Sequence, residues 1–214
     1  MAVYDLEEQE RLDELKDWWQ KNGKFIYAAL AALLVVLGGT YGWREYQRTQ
    51  SEQAAVLFKS VQKVAAEKDA KKLSDAASAL VEKFPGTFYA TEAALLAAKS
   101  SFEAKDFAAA RTHLQWVADQ GKAQFRPLAQ IRLATVLLEE QKFDEALKVI
   151  QSVNDEGYIT LSADLKGDIL MAQGKKDEAR IAYQLALDKA DVRSPLKQFT
   201  QFKLDALGAP AEAK

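Results

Sequence analysis

Three side chains are the best candidates in the sequence for a catalytic or metal site, and none of them has suitable partners. His113 is the only histidine, and it lies on a predicted helix beside Arg111 and Gln115. Acid–base and metal sites need several such groups at set spacings, and a lone helical histidine is more commonly a surface or packing residue. Asp164 and Asp168 lie one helical turn apart and project towards the predicted groove. The alternative is that both acids keep that face soluble.

The composition excludes several further classes of site. The chain has 214 residues, no cysteine and a formal net charge of -2. Disulfides, thiolate catalysis and cysteine-based metal sites are therefore excluded. No serine lies in a nucleophile elbow, no glycine-rich loop is suited to phosphate, and no basic stripe indicates nucleic acid. The sequence thus predicts no enzyme, no cofactor, no metal, no nucleic acid and no small-molecule substrate.

Residues 25–43 form an uncharged, mainly apolar run from Phe25 to Trp43. A helix needs about 20 apolar residues to cross the hydrocarbon core, and aromatic side chains favour the headgroup level at both margins. A buried core helix is one alternative, but nothing N-terminal to this run would cover it. A cleaved signal peptide is another, but the preceding region is long and acidic, whereas signal peptides begin short and basic. We predict an uncleaved transmembrane helix over 25–43 after an acidic cytoplasmic tail over 1–24.

The charges around this run favour one orientation by a narrow margin. Lys16, Lys21 and Lys24 precede it, and Arg44 and Arg48 follow it closely. Because basic flanks are retained in the cytoplasm, we expect a cytoplasmic N-terminus and an exported C-terminal domain.

Two glycines in the apolar run, Gly38 and Gly42, have the spacing that lets two membrane helices approach closely. The alternative is that glycine is simply common in membrane helices. In the preceding tail, Leu12, Leu15 and Trp19 share one side of a predicted helix. That helix would rest on the inner membrane surface, or the tail would be solvated.

A repeated motif dominates the sequence after the apolar run. Three segments share a short pattern that ends in an alanine, and these alanines are 36 and 33 residues apart. A small residue lies twelve positions before each alanine, and a large apolar residue follows four positions after it. The three sets are Ala98, Ala110 and Leu114; Ala134, Ala146 and Ile150; and Gly167, Ala179 and Tyr183.

This pattern resembles the tetratricopeptide repeat, a pair of antiparallel helices with a period of 34 residues. Small residues let the two helices approach, and stacked neighbours bury the remaining apolar face. A degenerate hairpin over about 51–85 precedes the three repeats, and a helix from Ser194-Pro195 to Leu207 caps the far end. We therefore predict an all-α chain: a single N-terminal transmembrane helix, then a tetratricopeptide-like helical-hairpin array over 44–208 and a disordered tail over 209–214.

Such arrays expose a concave surface that is built mainly by the first helix of each repeat. Apolar residues on this surface suit extended or helical peptides. The alternative is that several of them belong to the core between repeats, because a shift of one residue turns a side chain by roughly 100°. The predicted protein-binding groove consists of Leu95, Lys99, Phe102, Leu128, Ile131, Thr135, Leu138, Leu161, Asp164, Asp168 and Met171.

The whole chain resembles the ancillary subunits of the bacterial SecYEG translocon. The resemblance lies in the acidic tail with Trp18-Trp19, in the sequence Tyr41-Gly-Trp-Arg-Glu-Tyr46 after the anchor, and in repeats such as Lys142-Phe-Asp-Glu-Ala-Leu147. It implies an inner-membrane protein whose repeat domain lies in the periplasm. It also implies association with the translocon and with a membrane-anchored periplasmic chaperone of the prolyl-isomerase-like class, to which exported client proteins are passed.

Two other functions are open from the sequence. The array would equally suit a cell-envelope scaffold that organises cell-wall or division proteins. The acidic tail would suit a regulator of an envelope-stress response that contacts a cytoplasmic partner. Only the identity of the partners separates these functions from the translocon adaptor.

Overall fold

The structure is a computed structural model that describes the backbone of residues 2–208 and the side chains of residues 11–208. Over these residues the chain folds into nine α-helices and two short 3-10 turns without a strand, which confirms the all-α prediction. The helices are α1 (Ala2–Ala66), α2 (Ala70–Lys83), α3 (Phe88–Glu103), α4 (Phe107–Gln120), α5 (Arg126–Glu139), α6 (Phe143–Gln151), α7 (Ile159–Ala172), α8 (Lys176–Lys189) and α9 (Pro195–Ala206).

Residues 2–49 form one structural unit, which is the N-terminal part of α1. Its apolar stretch has a mean hydropathy of 1.9 over an 18-residue window, and none of that window is buried. The rings of Trp19 and Tyr27 meet edge to face with centroids 5.8 Å apart, at the N-terminal margin of the stretch. The helix is therefore long and apolar enough to cross a membrane, as the sequence predicts.

Residues 50–208 form the second unit, which is built from packed helix pairs. The three predicted hairpins are present: α3 packs on α4, α5 on α6, and α7 on α8. The degenerate hairpin before them consists of the last turns of α1 and helix α2, which bury Ala54, Val61, Leu73 and Leu80 in a common cluster. Asp69 separates these helices, and its carboxylate accepts a hydrogen bond from the Lys72 amide as an N-cap.

The turns inside the three hairpins have the same geometry. The last residue before each N-cap has a left-handed backbone, with φ of 61° at Lys105, 60° at Gln141 and 77° at Gly174. The next amide in each turn donates to a carbonyl five residues back, at 2.8 Å in the first two turns and 2.9 Å in the third. This is the Schellman arrangement, which satisfies carbonyls that the end of a helix leaves free. Lys68, between α1 and α2, is left-handed as well, with φ of 56°.

Helix α9 packs on α8 at the C-terminal end of the array. It begins at Pro195 as the sequence predicts, but Ser194 makes no side-chain capping bond. Leu204 is half-buried against the last apolar cluster, whereas Phe199 and Phe202 are 64% and 69% exposed. The disordered tail predicted over 209–214 lies outside the described residues.

Candidate functional site

Small residues at the hairpin crossings set how closely the helices of each repeat approach. Ala98, Ala134 and Gly167 lie on the first helices and are buried. Only glycine fits at the third crossing, because a Cβ at Gly167 would lie 2.3 Å from a ring carbon of Tyr183. The Tyr183 ring therefore packs directly on the α7 backbone, and the repeat motif of the sequence accounts for this contact.

The structure brings three of the predicted groove residues together in one pocket. Lys99 and Phe102 of α3 and Thr135 of α5 line a cavity of about 270 Å³, which we call the α3–α5 pocket. Phe102 packs on Phe107 with ring centroids 5.5 Å apart, and this contact fixes one wall. The remaining lining residues are Ala98, Leu114, Arg132 and Val136.

Other predicted groove residues lie in the core between repeats. Leu95 and Ile131 are only 7% and 5% exposed and belong to the main apolar cluster. Leu138 is half-buried against that cluster, and Leu128 is half-buried as well. Leu161 is exposed at the start of α7. The helical period predicts which residues share a face, but it does not separate the pocket-lining side of α5 from its core side.

The predicted groove acids of α7 contact helix α9. The Lys203 ammonium donates to Asp164 Oδ2 at 2.8 Å and to Asp168 Oδ2 at 2.7 Å. Thr200 Oγ1 donates to Asp164 Oδ1 at 2.7 Å, and the Tyr183 hydroxyl donates to Asp168 Oδ1 at 2.8 Å. These five residues form what we call the α7–α9 cluster. Met171, the last predicted groove residue of α7, is half-buried beside the apolar cluster at this end.

Two pKa values respond to this arrangement. Burial alone would lower the pKa of Lys203, but its hydrogen bonds to Asp164 and Asp168 and the negative charges of these carboxylates together outweigh burial and raise it. Burial, followed by the hydrogen bond to the Asp168 carboxylate, raises the pKa of Tyr183 far above its ordinary value. Lys203 is thus held as a cation and Tyr183 as a neutral phenol, so the cluster is a fixed ion network at neutral pH.

His113 joins two hairpins. It is 6% exposed, and its Nε2 lies 2.8 Å from Ser74 Oγ, so it links α4 to α2. Burial lowers its pKa. Within the described side chains, no group of three histidine or carboxylate residues is placed to hold a metal ion. The sequence identified His113 but not Ser74, which lies 39 residues away.

The burial of His113 predicts a loss of stability in mild acid. The folded chain favours the neutral imidazole of His113. The contribution of this residue to the free energy of unfolding is therefore complete above the unfolded pKa of about 6.5, and it falls as the pH drops below that value. Thermal melting of the full chain in detergent, followed by circular dichroism at about pH 7.5 and 5.5, should show this fall. His113→Gln should reduce the fall, and an equal fall in both proteins would contradict the prediction.

Gly38 and Gly42 lie on the exposed surface of the apolar part of α1. A Cβ at either position would meet no heavy atom within 4 Å. Both glycines are therefore free of intrachain packing in the described part of the chain. Their surface is open to another helix.

Comparison with known proteins gives a consistent assignment. The family model described as a tetratricopeptide repeat-like domain matches residues 16–209. A Neisseria gonorrhoeae protein named ancillary SecYEG translocon subunit is 34% identical over 209 residues, which cover 97% of this chain and 100% of the relative. The Haemophilus influenzae protein of that name is 33% identical, over 86% of this chain and 90% of its own. The Escherichia coli protein is 28% identical, over 97% and 99%.

The anchor, the hairpins and the cap all fall within these matched regions. The matches extend over the tail, the apolar helix and the array together, so they do not rest on the common repeat motif alone. The chain belongs to the tetratricopeptide repeat-like family of ancillary SecYEG translocon subunits.

Proposed function

We propose that this protein is a membrane-anchored adaptor or chaperone that associates with the Sec translocon and helps pass exported proteins to periplasmic chaperones. The observation that carries the proposal is the near full-length similarity to proteins named ancillary SecYEG translocon subunit. A helix array with an open apolar pocket supports it, because such arrays bind polypeptides through the surface of their first helices.

The proposed location is the bacterial inner membrane, with one crossing over residues 25–43. Residues 1–24 lie in the cytoplasm, and the repeat domain, residues 44–208, lies in the periplasm. The apolar stretch of α1 supports the single crossing, and the basic residues before it support this orientation. Gly38 and Gly42 then provide a surface for a membrane helix of the translocon or of a partner.

The proposed partners are the SecYEG translocon, a membrane-anchored periplasmic chaperone of the prolyl-isomerase-like class, and exported client proteins. We propose that the protein binds these partners without catalysing a reaction. Its buried histidine is hydrogen-bonded to a serine, and Asp164 and Asp168 both pair with Lys203. These groups therefore contribute to packing between helices.

Photo-crosslinking in intact bacteria tests the proposal. A photoreactive residue is placed in turn at Phe102 and Thr135 in the α3–α5 pocket, and at Gly42 in the apolar helix. We expect the pocket positions to capture periplasmic chaperones or exported chains, and Gly42 to capture a membrane subunit of the translocon. Captured proteins are identified by mass spectrometry after denaturing purification.

The matched control is the same probe at Lys148, an exposed position on α6 away from the pocket. It should capture these proteins much less efficiently. Crosslinks only to cytoplasmic proteins would contradict both the orientation and the function. Crosslinks only to cell-wall or division proteins would favour the cell-envelope scaffold, and crosslinks to a signalling regulator would favour the stress-response function.

A further inference from the structure

The α3–α5 pocket carries two cations and no acid in its lining. Lys99 of α3 and Arg132 of α5 both line it, and Phe102, Leu114 and Val136 provide apolar surface. Arg132 is exposed and makes no hydrogen bond or ion pair to any of the described residues. The pocket therefore presents positive charge beside apolar surface.

The nearest carboxylate compensates little of this charge. Glu103 Oε1 lies 3.8 Å from Lys99 Nζ, and the two side chains are 66% and 68% exposed. Exposed pairs at this distance contribute little, because water screens them and both side chains lose freedom. Lys99 is therefore available to a better-placed acceptor.

At the C-terminal end of the array, a charged side chain at the equivalent position has its counter-charge within the chain. Lys99 and Asp168 are equivalent residues, since each directly follows the small residue of its hairpin crossing. At the α7–α9 cluster, the neighbouring helix brings Lys203 to Asp168 and so supplies the opposite charge. At the α3–α5 pocket, the neighbouring helix instead brings Arg132, a second cation. The described chain therefore brings no closely placed counter-charge to this position, which is open to one from a partner.

The size of the pocket limits what enters it. Its volume of about 270 Å³ lies just below the roughly 300–1,000 Å³ of typical ligand and cofactor sites. Lys99 also lines a second depression of about 470 Å³ together with Lys68, Leu73, Leu96 and Glu103. The pocket is therefore suited to polypeptide side chains rather than to a cofactor, and the second depression extends this surface along α3.

We propose that the α3–α5 pocket receives an acidic side chain flanked by a large apolar one, from a partner polypeptide lying along α3. The carboxylate bridges Lys99 and Arg132, and the apolar neighbour packs on Phe102 and Leu114. This inference rests on the proposed function, that the array holds other polypeptides, and it specifies their chemistry.

The first test is a selection for binding peptides. A random-peptide display library is panned against the full chain in nanodiscs, in parallel with the double variant Lys99→Glu/Arg132→Glu. The wild-type protein should enrich peptides with aspartate or glutamate next to leucine, phenylalanine or another large apolar residue. The double variant should enrich peptides with lysine or arginine instead. Enrichment of the same sequences by both proteins, or no enrichment of acidic residues by the wild type, overturns the proposal.

A binding measurement then tests the contribution of the peptide's carboxylate to affinity. An enriched peptide is labelled with fluorescein, and its affinity is compared with that of its Glu→Gln and Glu→Lys forms by fluorescence anisotropy. Loss of the carboxylate should weaken binding about tenfold, as expected for one charge-assisted hydrogen-bond pair. The Glu→Lys peptide should bind Lys99→Glu/Arg132→Glu better than it binds the wild type, which a merely misfolded variant would not do.

The matched control carries the same charge change elsewhere. Lys148→Glu/Lys176→Glu alters two exposed lysines away from the pocket and should keep wild-type affinity. Equal weakening of peptide binding by both double variants would mean that the overall charge of the protein causes the effect, and it would overturn the proposal. If the peptide tests fail while pocket crosslinks to translocon or chaperone proteins persist, this inference fails and the proposed function stands. Peptide binding without such crosslinks would support the chemistry proposed for the pocket and contradict the proposed translocon and chaperone partners.

Discussion

Replacing Lys203 by methionine should destabilise the C-terminal end of the array by about 2 kcal/mol. The change removes the cation that lies 2.8 Å from Asp164 and 2.7 Å from Asp168. Removing one partner of a buried ion pair costs about 3–5 kcal/mol, because the other charge stays buried and unpaired. The Asp164 side chain is 7% exposed, but Lys203 and Asp168 are 34% and 30% exposed, so solvent reduces this cost. Hydrogen–deuterium exchange of the full chain in detergent should show faster exchange in α7, α8 and α9.

Lys197→Met is the control, because Lys197 lies on the same helix and has no ion pair among the described residues. It should leave the exchange rates of α7 nearly unchanged. Adding Asp164→Asn to Lys203→Met should recover part of the loss, because the unpaired buried charge is then removed. Equal exchange in the Lys203→Met and Lys197→Met proteins would show that the α7–α9 cluster contributes nothing to stability.

The same cluster makes a prediction at high pH. A raised pKa for Lys203 means that its stabilisation is complete below the unfolded value of about 10.4 and is lost as the pH rises through the higher folded value. The exchange difference between the wild type and Lys203→Met should therefore be constant from neutral pH to about pH 10. It should shrink only in stronger alkali.

Gly167→Ala should destabilise the third hairpin although alanine is the better helix former. The added Cβ would lie 2.3, 2.4 and 2.8 Å from three carbons of the Tyr183 ring, so the ring or the helices must move. Overpacking costs about 1–3 kcal/mol and occasionally more, while replacing glycine in a helix recovers about 1 kcal/mol. Moving the ring also breaks the 2.8 Å hydrogen bond to Asp168, so we expect a net loss of about 2 kcal/mol. Thermal melting by circular dichroism measures this loss.

Gly86→Ala is the control, because a Cβ there meets no atom within 4 Å. It should leave the melting temperature close to that of the wild type. Combining Gly167→Ala with Tyr183→Leu should cost less than the sum of the two single changes, because the smaller side chain makes room for the new methyl group. Strict additivity would contradict the steric explanation.

Local patterns in the sequence were enough to predict the helices and their pairing. The crossing residues Ala98, Ala134 and Gly167 define the hairpins because only small side chains allow such an approach. Pro195 marked the start of the last helix, since a proline acts within one turn of the chain. These signals are local, so they do not depend on how distant helices meet.

Contacts between distant helices could not be predicted in the same way. Lys203 meets Asp164 across 39 residues, and no periodicity indicates which turn of α9 will face which turn of α7. Ile131 and Thr135 lie one turn apart on α5, yet the first is in the core and the second lines the pocket. Such differences depend on how far each helix rotates about its own axis as it packs. The helix propensities of single residues do not determine this rotation.

The three hairpin turns of the array share one backbone geometry, which affects how the number of hairpins can change during evolution. Each turn carries a left-handed residue and the same closing hydrogen bond, and each hairpin contacts mainly its immediate neighbours. A duplicated hairpin would thus contact only its two neighbours, so the array could change in length while the other hairpins keep their own contacts. The number of hairpins can therefore change in evolution independently of the N-terminal apolar helix and of the capping helix α9.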